Sequence, residues 1–415
     1  MRPRRHRPRP VRLVFALIFA AWLSALPAAG GPPAYDWPQF RGPAREGASA
    51  ATGLARSWPA AGPKVVWRRP LGEGFSGIAV AGGRLFTLVA GPEQEFAVCL
   101  DPATGAEVWR TPVGPRFDEA LGNGPRSTPT VDSDRVFVLS STGHLAALAA
   151  GDGHRLWEID AQQALGAPMP LRGFACSPLV DGDLLLVELG AGEGKALVAL
   201  DKASGRVRWS ARDTPNGYSS PIAVDIDGVR QYVFINTAGR EVVALRTDGS
   251  VWWTHPWPPG SIAMPVFVPP NRILVSASAD IGAALLEVKT VDGKPQVEEA
   301  WRNRVLKNHF SSSVFRDGFI YGFDNGTLKC LDASTGEQRW ATRGFGKGSL
   351  ITADGLLLVL GDRGTLALAE ATPEAYRELG RVQALGGKSW TAPTLAGGRL
   401  YLRDQREIVC YEVAS

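Results

Sequence analysis

Short apolar stretches, nearly all introduced by a Gly or Asp turn, recur along the chain beyond residue 60. Arg84-Leu85-Phe86, Arg135-Val136-Phe137, Leu184-Leu185-Leu186 and Gln231-Tyr232-Val233 open the series. Arg272-Ile273-Leu274, Phe319-Ile320-Tyr321, Leu356-Leu357-Leu358 and Arg399-Leu400-Tyr401 complete it. Apolar runs of this length between turn residues predict β-strands, and the even spacing predicts eight copies of one structural unit.

A second marker gives the same count. Cys99-Leu100-Asp101-Pro102-Ala103-Thr104-Gly105 leads to Trp109, Cys330-Leu331-Asp332-Ala333-Ser334-Thr335-Gly336 to Trp340, and Ala199-Leu200-Asp201-Lys202-Ala203-Ser204-Gly205 to Trp209. Degenerate versions run from Ala147 to Trp157 and from Ala244 to Trp253. The Asp carboxylate accepts backbone N–H groups in the turn, and Gly takes its positive-φ position. Trp is a large flat side chain suited to packing between sheets. Trp67, Trp109, Trp157, Trp209, Trp253, Trp301 and Trp340 are separated by 42, 48, 52, 44, 48 and 39 residues, about one four-stranded sheet each time. The eighth position falls near Val382. The last unit stops at Cys410-Tyr411-Glu412-Val413, one strand short, while Val65-Val66-Trp67-Arg68 stands one strand in excess before the first. Pairing the two closes an eight-bladed all-β propeller and removes its open edges.

The Asp-x-x-Thr-Gly-x-x-x-Trp units resemble the PQQ-like (pyrroloquinoline quinone) repeat of quinoprotein alcohol dehydrogenases and of BamB-type outer-membrane assembly factors. Asp36-Trp37-Pro38-Gln39-Phe40-Arg41-Gly42-Pro43, Gly124-Pro125-Arg126-Ser127-Thr128-Pro129 and Lys307-Asn308-His309-Phe310-Ser311-Ser312 are similar to segments of a bacterial exported family of PQQ-binding-like propellers. The resemblance implies the quinoprotein-like fold and two functions to choose between. A quinoprotein dehydrogenase clamps its cofactor between a vicinal Cys-Cys disulfide and a Trp, with a divalent metal and an Asp base. This chain has no adjacent cysteines. Asp118, Glu188 and Asp280 are acids that could approach the funnel, although Asp in particular is common in turns. The expectation is therefore a non-catalytic scaffold with no cofactor. A small PQQ- and calcium-dependent alcohol or sugar dehydrogenase is the alternative.

The first thirty residues change the charge picture. They hold Arg2, Arg4, Arg5, Arg7, Arg9 and Arg12 and no acid, so 45 basic against 41 acidic residues become 39 against 41 without them, a net of −2. A near-neutral body argues against a nucleic-acid partner. The basic start, the apolar run Val11–Leu26 and the small residues Ala28 and Gly30 predict an export signal over residues 1–30, cleaved after Gly30. A retained anchor is the alternative, but the run is shorter than the roughly 20 residues that span a bilayer. No cysteine follows it for lipid attachment. The expected location is the periplasm or the exterior, as a monomer, with no integral membrane segment after cleavage. Cys99, Cys330 and Cys410 share the repeat slot that holds Ala147, Ala199 and Ala244 elsewhere. Small buried positions in separate blades, not disulfides, are the expectation.

Three divisions follow: the signal 1–30, an extension 31–63 whose Trp37, Phe40 and Trp58 predict docking on the ring, and the propeller 64–415. The loops before the innermost strands shape one funnel mouth. There Arg126, His309, Lys347 and Lys388 are expected to form a cationic patch beside the flat surfaces of Phe75, Phe174, Tyr218 and Trp390. The candidate guest is an anionic or polar group, such as the carboxylate of a peptide or glycan, on a protein, peptide or other envelope component.

Overall fold

In the computed structural model, which describes residues 36–415, eight antiparallel sheets surround a common axis. The first blade shows the pattern: Ala79–Ala81, Arg84–Ala90, Gln94–Leu100 and Glu107–Pro115, from innermost to outermost. The eighth combines Thr394–Ala396, Arg399–Arg403 and Glu407–Glu412 with Lys64–Pro70, which pairs antiparallel to Glu407–Glu412 as its outer strand. The ring is therefore closed as the strand count predicts. The export signal and any cleavage after Gly30 lie outside the described residues.

The repeated turn acts between blades. Trp67, Trp109, Trp157, Trp209, Trp301 and Trp340 each donate Nε1–H to a backbone carbonyl in the turn of the next blade, at 2.8–3.1 Å. The acceptors are Pro102, Ala150, Lys202, Thr247, Ala333 and Thr372. The same indole covers the turn glycine: a Cβ on Gly205 would lie 2.8 Å from Trp157. Gly205 also has φ +73. Glycine is thus needed twice, for its backbone and for its missing side chain. Replacing Gly205 by Ala is expected to cost about 2–3 kcal/mol, read as a lower midpoint in urea unfolding with an unchanged slope. Trp253 departs from the pattern and donates to Gln231 Oε1 in its own blade, since the following blade has a long hairpin, Gly282–Val291 with Lys294–Asn303.

The break in the ring falls inside one of these turns. Gly62, with φ +84, stands two residues before the outer strand as Gly105 does, and Val382 of the seventh blade packs where a Cβ on Gly62 would sit, at 2.9 Å. The extension thus supplies the missing half of the eighth turn. Cys99, Cys330 and Cys410 lie opposite Trp109, Trp340 and Trp67 in the ladders. All four cysteines are buried and free, and burial pushes those three thiols up to about 12, 12 and 11.

Candidate functional site

Residues around the axis are tied from blade to blade by hydroxyls. Gly77 N–H donates to Thr128 Oγ1 (3.1 Å), Thr128 N–H to Ser177 Oγ (3.0 Å), and Ser177 N–H to Ser220 Oγ (2.9 Å). Ser219 Oγ then donates to the Ala263 carbonyl, Met264 N–H to Ser312 Oγ, and Thr391 Oγ1 to the Phe75 carbonyl. The small polar residues before Pro129, Pro178 and Pro221, and Thr391 two positions before Pro393, are the sequence signal for this inner collar.

The extension crosses the collar. Trp37 exchanges two backbone hydrogen bonds of 2.8 Å with Val80 of the first blade, and the Pro38 carbonyl accepts from Val131 of the second. Arg45 donates to the Ser177, Pro178 and Pro221 carbonyls, and Arg41 to those of Ser312, Ser313 and Glu46. Ala48–Ser49 then adds a parallel strand to Ser349–Ala353 of the seventh blade. A segment that touches inner-strand residues of six blades lies across the axis and stoppers the channel. Both guanidiniums are fully buried, which lowers each to about 10 and leaves them charged.

Above this stopper opens a cavity of about 430 Å³ with Trp37, Phe40 and Arg41 among its lining residues. Phe75 stacks on Trp390 at 5.2 Å, Trp390 on Phe310 at 4.8 Å, and His309 meets Phe310 edge-on at 5.5 Å, giving one continuous aromatic wall. Tyr218, Ile262 and Ala175 also line it, and Leu171, 78% exposed, stands at its opening. Leu121, on the connection 116–129 between the first two blades, and Met169, on the connection 161–178 that also carries Leu171, are exposed as well.

Five of the eight rim residues read from the sequence, Phe75, Arg126, Tyr218, His309 and Trp390, line this cavity. Lys388 and Lys347 stand beside it. Lys388 lies 4.6 Å above the Trp390 ring and donates to the Leu121 carbonyl, and Lys347 N–H donates to Asp362. Arg126 donates to the Gly122 and Gly124 carbonyls and packs on Phe75 and Phe117, and burial lowers its pKa. Burial and the charge of Lys347 lower His309, so the imidazole is neutral at pH 7. Phe174 is wholly buried in the core between the second and third blades and takes no part in the wall. Sequence reasoning missed the charged lining residues Arg41, Glu119 and Arg172. Glu119 pairs with Arg126 (3.6 Å) and with Arg172, whose N–H donates to Tyr218 Oη. Glu119 and Arg172 sit on the two longest connections between blades, and loop length is the signal that could have found them.

The acids considered from sequence are elsewhere. Asp118 pairs with Arg116, Asp280 is exposed near Lys307, and Glu188 is buried in the third blade accepting from Gly217 N–H. No cysteine lines the cavity, and its acid, Glu119, is held by two arginines. Among the described residues no group of three His, Cys, Asp or Glu side chains is placed to hold a metal. These residues do not fit a quinone clamped over a divalent ion.

The sequence model of the family described as outer membrane protein assembly factor BamB matches residues 53–228, 167–342 and 287–414. The chain belongs to the BamB family. Among curated relatives, BamB of Shewanella oneidensis is 26% identical over 300 residues, covering 65% of this chain and 67% of that protein. BamB of Burkholderia pseudomallei is 23% identical over 383 residues, covering 85% and 89%. Among solved structures, BamB from Moraxella catarrhalis superposes with a TM-score of 0.61 at 17% identity, over 84% of this chain and 97% of that one. The quinohemoprotein alcohol dehydrogenase from Comamonas testosteroni gives 0.62 at 13%, over 92% and 81%. At such identities these two structures show the shared eight-bladed fold alone. BamB membership and the quinoprotein-like ring thus come together in one chain, as the repeat implied.

Proposed function

We propose that this chain is a non-catalytic scaffold of the cell envelope that docks a protein of the outer-membrane assembly machinery at the mouth of its funnel. The observation that carries this reading is a cup with an apolar lip. Leu121 and Leu171 stand exposed on the lining of an aromatic cavity whose base is stoppered by the chain itself. Large apolar side chains exposed together mark interaction sites, and anchors near the centre of an interface carry most of its energy. Membership of the BamB family supports the class of partner. On this reading residues 1–30 direct export and are removed, and the ring works as a monomer in the periplasm without a cofactor.

A photoreactive side chain at position 171 is expected to crosslink in cells to an outer-membrane assembly protein. Leu171→Asp is expected to weaken that association about tenfold while leaving the melting temperature unchanged. Calcium-dependent, saturable binding of PQQ with dye-linked oxidation of an alcohol would overturn the reading.

A further inference from the structure

We propose that the funnel cavity binds an apolar carboxylate: an aromatic or branched side chain held against the rings, with one carboxyl group beside the arginines. This rests on the docking reading of the same mouth and names the chemistry of what enters it.

The charges lining the cavity do not balance. Among the described lining residues Arg41, Arg126 and Arg172 stand against one carboxylate, Glu119, an excess of two positive charges, while outside the lining Glu46 acts on Arg41 and Glu95, raised to about 7 by burial, acts on Arg126. His309 adds none, being neutral, and Lys388 adds another cation just outside. Arginine keeps its charge even when buried, so the excess persists across the physiological range. In a site of low polarity such an excess favours an anion far more strongly than it does in water. Arg41 Nε and His309 Nδ1, both on lining residues, have no hydrogen-bond partner among the described residues.

The shape selects the rest of the ligand. A cavity of about 430 Å³ lies in the range that holds small ligands, and such sites are largely apolar with a few placed polar groups. The Phe75–Trp390–Phe310 wall would be left without contacts by an all-polar anion such as phosphate. Guanidinium groups suit the flat carboxylate fork. The stopper of Trp37, Phe40 and Arg41 closes the far end, so the occupant enters and leaves by one mouth. A polymer threaded along the axis is thereby ruled out. Two sources offer the required chemistry: the C-terminal residue of a polypeptide and a free aromatic or branched acid.

The test uses the full chain and four probes, followed by calorimetry. They are an acetylated tetrapeptide ending in Leu-Phe with a free carboxylate, the same peptide as its C-terminal amide, 4-phenylbutyrate, and inorganic phosphate. The free-acid peptide is expected to bind saturably and the amide at least about tenfold more weakly. Phenylbutyrate binding as well as the peptide assigns the source to a free acid, and weaker binding assigns it to a chain end; both support the proposal. Arg172→Gln is expected to remove about tenfold for the acid and nothing for the amide, with thermal melting confirming the fold. Equal binding of acid and amide, phosphate binding as tightly as the acid, or no saturation by the peptide or by phenylbutyrate overturns it. If the crosslink at position 171 persists in that case, only the carboxylate assignment falls and the docking reading stands.

Discussion

Replacing Arg403 by Met lowers the unfolding free energy by about 4 kcal/mol, because this one side chain makes several buried bonds from the eighth blade to the first. Arg403 belongs to the eighth blade and is wholly buried. Its guanidinium donates to Thr87 Oγ1 (2.9 Å) and to the Leu88 carbonyl (2.8 Å) of the first blade. It also donates to the Gly72 and Gly74 carbonyls (3.0 and 3.2 Å) that lead into that blade. No carboxylate bonds to it, and burial pushes its pKa down to about 9. Met fills the volume but leaves several buried acceptors without donors, each costing about 1–3 kcal/mol. Lys supplies only one point of donation and is expected to recover less than half of the loss. Equilibrium unfolding in guanidinium checks both variants. A Met variant within about 0.5 kcal/mol of the parent would show that the seam is held elsewhere.

The second large effect is on pH. Burial raises the Glu188 carboxyl to about 8 and Glu95 to about 7. Each keeps one backbone donor, Gly217 N–H and Ser141 N–H respectively. In the unfolded chain these groups ionise near the ordinary carboxylate value, so between that value and about 8 the folded protein holds protons that the unfolded chain has released. Their contribution to stability is therefore complete below about pH 4.5 and is lost as pH rises towards 8. For Glu188 the loss is on the order of 4 kcal/mol. Glu188→Gln cannot ionise and retains an oxygen for Gly217 N–H. Its stability is expected to exceed the parent's by several kcal/mol at pH 8.5 and to match it within about 1 kcal/mol at pH 5. Parallel pH profiles of the two proteins in urea unfolding would contradict this.

The ring could be counted from the sequence because most blades repeat the same local solution, an Asp-capped turn, a glycine and a Trp. The clasp itself was less legible. Spacing places Trp157 on an outer strand but says nothing of its bond to the Lys202 carbonyl in the neighbouring blade. The aromatic residues Trp37, Phe40 and Trp58 suggested docking of the extension, but not its path across the axis, since the segment around Arg41 and Arg45 has no period. Arginine is usually exposed, and its partners here lie 132 and 271 residues away. At the site, topology was enough to bring Arg126, Tyr218, His309 and Trp390 to one mouth. The side-chain directions of Lys347 and Lys388, set by irregular loops, were not encoded in spacing. Glu119 and Arg172 lie on connections that no other blade copies, so the repeat could not predict them.

The closing strand has a consequence for how the molecule is made. Lys64 meets Glu412, 348 residues later, so the native partner of Lys64–Pro70 is the last long strand to be made. At about 5–20 residues per second, synthesis leaves Lys64–Pro70 waiting for roughly 20–70 s before its partner exists. Throughout that time the first seven blades can stack in order, each clasped to the next, while the first presents an unguarded flank. Nascent chains are therefore most vulnerable to proteases and to strand exchange with one another near completion, when nearly everything is folded except the seam.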